Sequence, residues 1–183
     1  WGGVQPPGSS SRTRIVPVSI RILFQDDEKE YDAVLGATDP QLGLAFAKLM
    51  LQRTGVPIGL LPCAHGGTSM DQWSPALKDK GGDSLYGATY RRFLAAGGRI
   101  RGVLWYQGES DANPKVVGQY AEKFEKLIAA FRQDFLQPEL PFYYVQIGRH
   151  VAYVNQAEWN AVQEAQRKLE SRVPKVGMVP AVD

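Results

Sequence analysis

Short apolar runs alternate with longer segments of helical periodicity along this chain. The apolar runs predict five strands, at residues 16–24, 56–64, 100–107, 140–148 and 175–182. The segments between them predict four helices, at residues 39–55, 84–96, from 113–114 onward, and 155–171. Continuous apolar strands joined by helices are typical of a parallel sheet that is covered by helices on both faces.

Two of the helices carry the clearest signals. Asp39 and Pro40 suit the first turn of one helix, and Gly55 suits its end. The helix that follows Asn113-Pro114 has one apolar stripe, which consists of Val117, Tyr120, Phe124, Leu127, Ile128 and Phe131.

The length of 183 residues fits one domain with a substantial core. Residues 1–14 are rich in Gly, Pro, Ser and Arg and predict a flexible arm, so the domain is expected over residues 15–183. The net charge is +2 without a clustered basic run, which argues against nucleic-acid binding. Within these 183 residues, no apolar run has the length needed to span a membrane and no signal-peptide pattern occurs.

The counts of reactive residues limit the chemistry further. One cysteine excludes an internal disulfide framework, and two scattered histidines do not make a typical zinc cluster. The sequence contains neither G-x-G-x-x-G after its first strand nor G-x-x-x-x-G-K, so a phosphate-binding loop is not indicated.

Two polar loops follow predicted strands at the edge where parallel sheets bind ligands. They are "CAHGGTSMDQW", residues 63–73, and "YQGESD", residues 106–111. Gly66 and Gly67 offer backbone N–H groups that no Cβ shields, and Gln107 offers a side-chain amide at a strand end. Converging donors of this kind stabilise the oxyanion of acyl transfer. The alternative is that the glycines form only a turn and that Gln107 only caps its strand.

The segments "PIGLLPCAHGGTSMDQW" and "GVLWYQGESDA" together resemble the SGNH-hydrolase superfamily, and more closely its branch of sialate O-acetylesterases and carbohydrate acetylesterases of family six. The resemblance covers residues 16–183. It implies a three-layer α/β/α, flavodoxin-like fold and an esterase that removes acetyl groups from a carbohydrate substrate. It also implies that Gly67 and Gln107 form the oxyanion hole and that the reaction needs no cofactor and no metal.

The same resemblance implies a nucleophilic serine in a G-Q-S-N motif and a base in a D-x-x-H motif, and neither motif occurs in these 183 residues. Since the chain begins at Trp1 and its last predicted strand stops at the C-terminus, we expect a piece of a longer protein that is inactive alone. A central strand is then expected to be missing between residues 16–24 and 56–64, leaving two open edges and poor folding. The family is often secreted, but the sequence assigns no compartment.

The remaining loop residues are candidates for substrate binding or loop support. They are His65, Gly66, Thr68, Trp73, Glu109 and Ser110. Trp73 can either stack on a sugar ring or pack in the core, and Ser110 and Asp111 are interpreted as groups that brace their loop. His65 and His150 are interpreted as packed side chains rather than bases, and Cys63 as a small buried residue.

Two other classes of protein remain open. One is a catalytically inactive pseudoenzyme that binds carbohydrate, which the absence of both motifs permits. The other is a flavodoxin-like nucleotide-binding domain, against which the missing phosphate loop argues.

Overall fold

Five strands and four α-helices alternate along the chain in the computed structural model, which describes residues 19–23, 42–150 and 154–181. The strands are β1 (Ser19–Leu23), β2 (Gly59–Pro62), β3 (Gly102–Tyr106), β4 (Phe142–Gln146) and β5 (Val176–Pro180). The helices are α1 (Leu42–Thr54), α2 (Leu85–Ala95), α3 (Tyr120–Asp134) and α4 (Gln156–Leu169). The predicted strand–helix alternation is confirmed, whereas the predicted arm at residues 1–14 lies outside the described residues.

Three short 3-10 helices complete the described elements, at Pro75–Asp83, Glu109–Asp111 and Val117–Gln119. The helix predicted from residues 113–114 begins as an α-helix only at Tyr120. Asn113 explains part of this delay, because its side chain accepts a hydrogen bond from the Lys115 N–H at 3.1 Å. Such local bonds favour a turn over a continuous helix.

The sheet is parallel throughout and has the strand order β2-β1-β3-β4-β5. The expectation of a missing central strand is therefore wrong. β1 pairs with β2 from Ser19–Gly59 to Ile22–Pro62 and with β3 on its other side. Strand β1 itself occupies the position next to β2 that was expected to be empty, so no unpaired edge separates the two strands.

Helices α2, α3 and α4 contribute most of the core on one face of the sheet. Aromatic rings dominate this core, and the most deeply buried include Trp105, Tyr120, Phe124, Phe131, Phe142 and Tyr144. Moving one such ring out of water contributes about 1.5–3 kcal/mol to stability. The apolar stripe predicted for α3 points into this core at Tyr120, Phe124, Leu127, Ile128 and Phe131.

The second face packs against α1, where Leu104 contacts Phe46, Ile58 and Leu60. A groove of ≈ 390 Å³ lies between α1 and the first residues of β3 and β4. It opens at the amino ends of the strands, away from the polar loops. None of the helices in the described ranges has an apolar stretch long enough to cross a bilayer.

Candidate functional site

Two polar loops meet at the carboxyl edge of the sheet, as their positions after β2 and β3 predict. The side-chain amide of Gln107 donates to the backbone carbonyl of Thr68 at 3.0 Å. β1 lies between β2 and β3, so the loop after β2 reaches across a distance of about two strand spacings, ~10 Å, to make this contact. The glycine loop, residues 65–70, and the Gln107 loop, residues 107–111, thus form one structural unit.

The glycine loop turns at Gly67, whose φ of +67° lies in the left-handed region. A Cβ added at Gly67 would meet no atom within 4 Å, so the requirement for glycine here is conformational rather than steric. Gly67 and His65 are exposed, and Gly66 is partly exposed. This stretch of backbone is therefore accessible to a ligand.

Thr68 anchors the loop directly after that turn. Its side chain is 2% exposed, and its Oγ1 donates to the His65 carbonyl at 2.9 Å while it accepts from Trp73 Nε1 at 3.0 Å. The adjacent turn is closed by Ser69 and Gln72, since the Gln72 side chain accepts from the Ser69 N–H at 3.0 Å. Thr68 therefore supports the loop from within.

Trp73 is a packing residue in this structure. Its side chain is 2% exposed and meets Trp105 edge to face, with ring centroids 5.2 Å apart. A sugar ring needs an exposed aromatic face, which Trp73 does not offer. Of the two interpretations of Trp73, the geometry favours packing in the core.

Replacing Trp73 with phenylalanine is expected to lower the free energy of unfolding by about 1 kcal/mol, because the hydrogen bond to Thr68 is lost while most of the packing is kept. Chemical denaturation measures this change. In the protein encoded by the complete gene, KM for an acetylated sugar should not change. A clear rise in KM with unchanged stability would place Trp73 against the substrate instead.

Gln107 is almost completely buried at the end of β3, with 2% exposure. Its Nε2 donates one hydrogen bond to the Thr68 carbonyl and a second to the Asp111 carboxylate. Both amide N–H groups are thus engaged within the chain. Its Oε1 is buried, and none of the residues that the structure describes donates a hydrogen bond to it.

Asp111 connects the glycine loop with the Gln107 loop through buried hydrogen bonds. It is fully buried, and its Oδ2 accepts from the Met70 N–H at 3.0 Å as well as from Gln107. Burial raises the pKa of Asp111 above its ordinary value, and the hydrogen bonds from Gln107 and Met70 partly oppose that rise, as does the charge of Lys123. Lys123 itself pairs with Asp71 at 2.7 Å. The predicted bracing role of Asp111 matches these contacts.

Glu109 and Ser110 are partly buried in the 3-10 helix that precedes the turn at Asn113. The Asn113 side chain donates to the Ser110 carbonyl at 3.0 Å. Ser110 thus contributes its backbone to the fold of the Gln107 loop.

Side chains of α3 and α4 donate hydrogen bonds to the backbone carbonyl of Gln107. It accepts from the Tyr120 hydroxyl at 3.1 Å and from Gln166 Nε2 at 2.9 Å, and Gln166 Oε1 accepts from the Ile147 N–H at 3.0 Å. Burial raises the pKa of Tyr120 well above its ordinary value. The hydroxyl therefore stays protonated and can donate its hydrogen bond to the Gln107 carbonyl. Gln166 was not among the sequence candidates. The sequence feature that could have identified Gln166 is its position: it is a polar residue within the buried stripe of α4, which also contains Trp159, Val162 and Leu169.

The two histidines lie at the surface near this edge of the sheet. His65 is part of the glycine loop, and His150 follows β4 with its ring 5.5 Å from that of Trp159. Both are exposed, so His65 is not packed as interpreted, whereas His150 keeps its ring contact with Trp159. Cys63 is buried, as expected. Within residues 19–23, 42–150 and 154–181, no cluster of three or more His, Cys, Asp or Glu residues could hold a metal ion.

The chain is similar to known carbohydrate esterases. The family model described as carbohydrate esterase, sialic acid-specific acetylesterase, matches residues 1–183. A probable carbohydrate esterase of Arabidopsis thaliana, At4g34215, is 30% identical over 183 aligned positions. That alignment covers 93% of this chain and 65% of the Arabidopsis protein, so the chain spans slightly under two thirds of its length.

Solved structures agree with the family match. The Arabidopsis protein superposes with a TM-score of 0.67 at 26% identity, covering 90% of this chain and 85% of that structure. A carbohydrate acetylesterase from Xanthomonas citri, XAC1771, superposes with a TM-score of 0.64 at 27% identity, covering 78% and 34%. NanS shares the fold, with a TM-score of 0.60 at 19% identity, covering 76% and 51%. The chain belongs to the family of carbohydrate esterases described as sialic acid-specific acetylesterases.

Proposed function

We propose that the protein encoded by the complete gene is a serine esterase that removes O-acetyl groups from a carbohydrate. Family membership supports this reaction class. The observation that carries the proposal is the hydrogen bond of Gln107 to Thr68, which joins the glycine loop to the end of β3. This bond supports the proposal because it links the two loops that carry the proposed oxyanion donors.

The mechanism begins with attack of a serine hydroxyl on the acetyl carbonyl while a histidine, oriented by an aspartate, takes the proton. The backbone N–H of Gly67, the side chain of Gln107 and the N–H of the serine itself stabilise the oxyanion. Because both N–H groups of Gln107 are already engaged, one of them must be shared with the oxyanion or released from Thr68. Collapse of the intermediate expels the sugar hydroxyl, and water then releases acetate.

The 183 residues contain neither G-Q-S-N nor D-x-x-H, so they do not supply the nucleophile and base of this mechanism. We therefore propose that residues 1–183 alone are inactive. The substrate class is an acetylated carbohydrate, and no cofactor or metal takes part. A carbohydrate-binding pseudoenzyme is the alternative outcome, in which the ligand binds and no acetate is released.

The test compares the protein encoded by the complete gene with residues 1–183, both assayed with p-nitrophenyl acetate and with an O-acetylated sugar. Acetate release by the longer protein alone is the expected result. Failure of the longer protein to release acetate, despite both motifs in its sequence, would contradict the esterase proposal. Turnover by residues 1–183 that is abolished by a substitution within them would contradict the proposed inactivity.

A further inference from the structure

One buried carboxylate connects the two loops that carry the proposed oxyanion donors. Asp111 accepts from the Met70 N–H, which lies 41 residues earlier in the chain, and from the Gln107 side chain. Gln107 in turn donates to the Thr68 carbonyl. The glycine loop is therefore held at Thr68 and at Met70, on either side of Ser69 and immediately after Gly67.

Both contacts lie in an environment from which water is excluded. Asp111, Thr68, Met70 and Gln107 are each at most 2% exposed. An unpaired N–H at such a place carries its full desolvation penalty, so the loop cannot leave the carboxylate without cost. The cost of burying Asp111 is reflected in its raised pKa. At Met70 the glycine loop is thus fixed by a buried carboxylate, Asp111, rather than by contacts at the surface.

We propose that Asp111 is a positioning residue, which sets the distance between the Gly67 backbone and the Gln107 carboxamide by holding both of their loops. This inference rests on the proposed function. Asp111 itself touches neither the substrate nor the reacting atoms. Small displacements of catalytic donors lower kcat steeply, by about 10²-fold for ~1 Å.

The geometry of Asp111 provides a matched pair of substitutions. Oδ2 makes the two shorter contacts, so Asp111→Asn can place an amide oxygen there and keep both of these hydrogen bonds. Its NH2 group then replaces Oδ1, which accepts from the Met70 N–H at 3.3 Å. Asp111→Ala removes the acceptor and leaves the Met70 N–H and one Gln107 N–H unpaired. Asp79→Ala, which removes an exposed carboxylate from the 3-10 helix at Pro75–Asp83, serves as the control.

The first measurement is steady-state kinetics of the protein encoded by the complete gene. We expect Asp111→Ala to lower kcat by about 10–100-fold with little change in KM, because orientation rather than binding is lost. Asp111→Asn should lower kcat clearly less than Asp111→Ala does, since its amide oxygen can still accept from Met70 and Gln107. Unchanged kcat in Asp111→Ala, or equal loss in both variants, would overturn the positioning role.

The second measurement does not depend on activity. Amide hydrogen exchange in residues 1–183 should accelerate at Met70 by about tenfold or more in Asp111→Ala, as expected for loss of a buried hydrogen bond. Amides of β3 and β4 should keep their rates, and Asp111→Asn should retain protection. Unchanged exchange at Met70, or uniform acceleration throughout, would overturn the proposed link. If the unmodified enzyme shows no turnover, the esterase proposal fails and exchange alone decides whether Asp111 holds the loops.

Discussion

Replacing Gln107 with alanine in the protein encoded by the complete gene is expected to lower kcat by about 10²–10³-fold, the usual loss for one oxyanion donor. The substitution removes the only side chain proposed to donate to the oxyanion from the end of β3. It also leaves the Thr68 carbonyl without its side-chain donor. Initial rates with p-nitrophenyl acetate at several substrate concentrations give kcat and KM separately.

Loss of structure must be distinguished from loss of catalysis, because Gln107 is buried and makes two hydrogen bonds. A reduction of about 1–3 kcal/mol in stability is expected as well. Rates are therefore measured far below the unfolding midpoint of each variant. Gln133→Ala, at an exposed position of α3, is the control and should leave kcat unchanged. A loss in Gln107→Ala below about threefold would remove Gln107 from the proposed oxyanion hole.

Replacing Gly108 with alanine is expected to destabilise the protein by about 1–3 kcal/mol through overpacking. A Cβ at this position would lie 2.9 Å from Ile147 Cγ2, 3.0 Å from Val162 Cγ1 and 3.1 Å from Gln166 Nε2. These atoms belong to α4 and to Ile147, the residue after β4. The Gln166 side chain links the two, because its Oε1 accepts from the Ile147 N–H. The Gln107 loop cannot shift without breaking the bond from Gln166 to the Gln107 carbonyl.

Gly118→Ala is the matched control, because a Cβ there would meet no atom within 4 Å. Its effect should stay within about 0.5 kcal/mol, as for most surface substitutions. Denaturant unfolding of residues 1–183 compares the two variants directly. Equal stabilities would show that the contact between Gly108 and α4 is looser than the structure indicates.

The sequence predicted the alternation of elements because each element carries its own signal. The strand around "GVLWY" is a continuous apolar run, and α3 has an apolar stripe that is buried as expected. The strand order was only partly predictable. The resemblance led us to expect a missing strand at the centre of the sheet, whereas pairing of β1 on both sides depends on the backbone of distant segments.

At the site, the sequence predicted that the two loops share one edge, since parallel strands end on the same side. It did not predict that both N–H groups of Gln107 are engaged. The partners of Gln107 are a backbone carbonyl 39 residues earlier and a carboxylate four residues later. Gln166, 59 residues later, holds the Gln107 carbonyl. Local patterns contain no information about such distant partners.

The edge-to-face contact of Trp73 with Trp105 joins the turn that follows the glycine loop to the core strand β3. Both indoles are buried, so their ultraviolet emission and near-ultraviolet dichroism depend on how closely the rings pack. Any opening of the loop separates the pair and admits solvent to Trp73. Ligand-induced motion of the proposed site can thus be followed by intrinsic fluorescence, without attaching a dye.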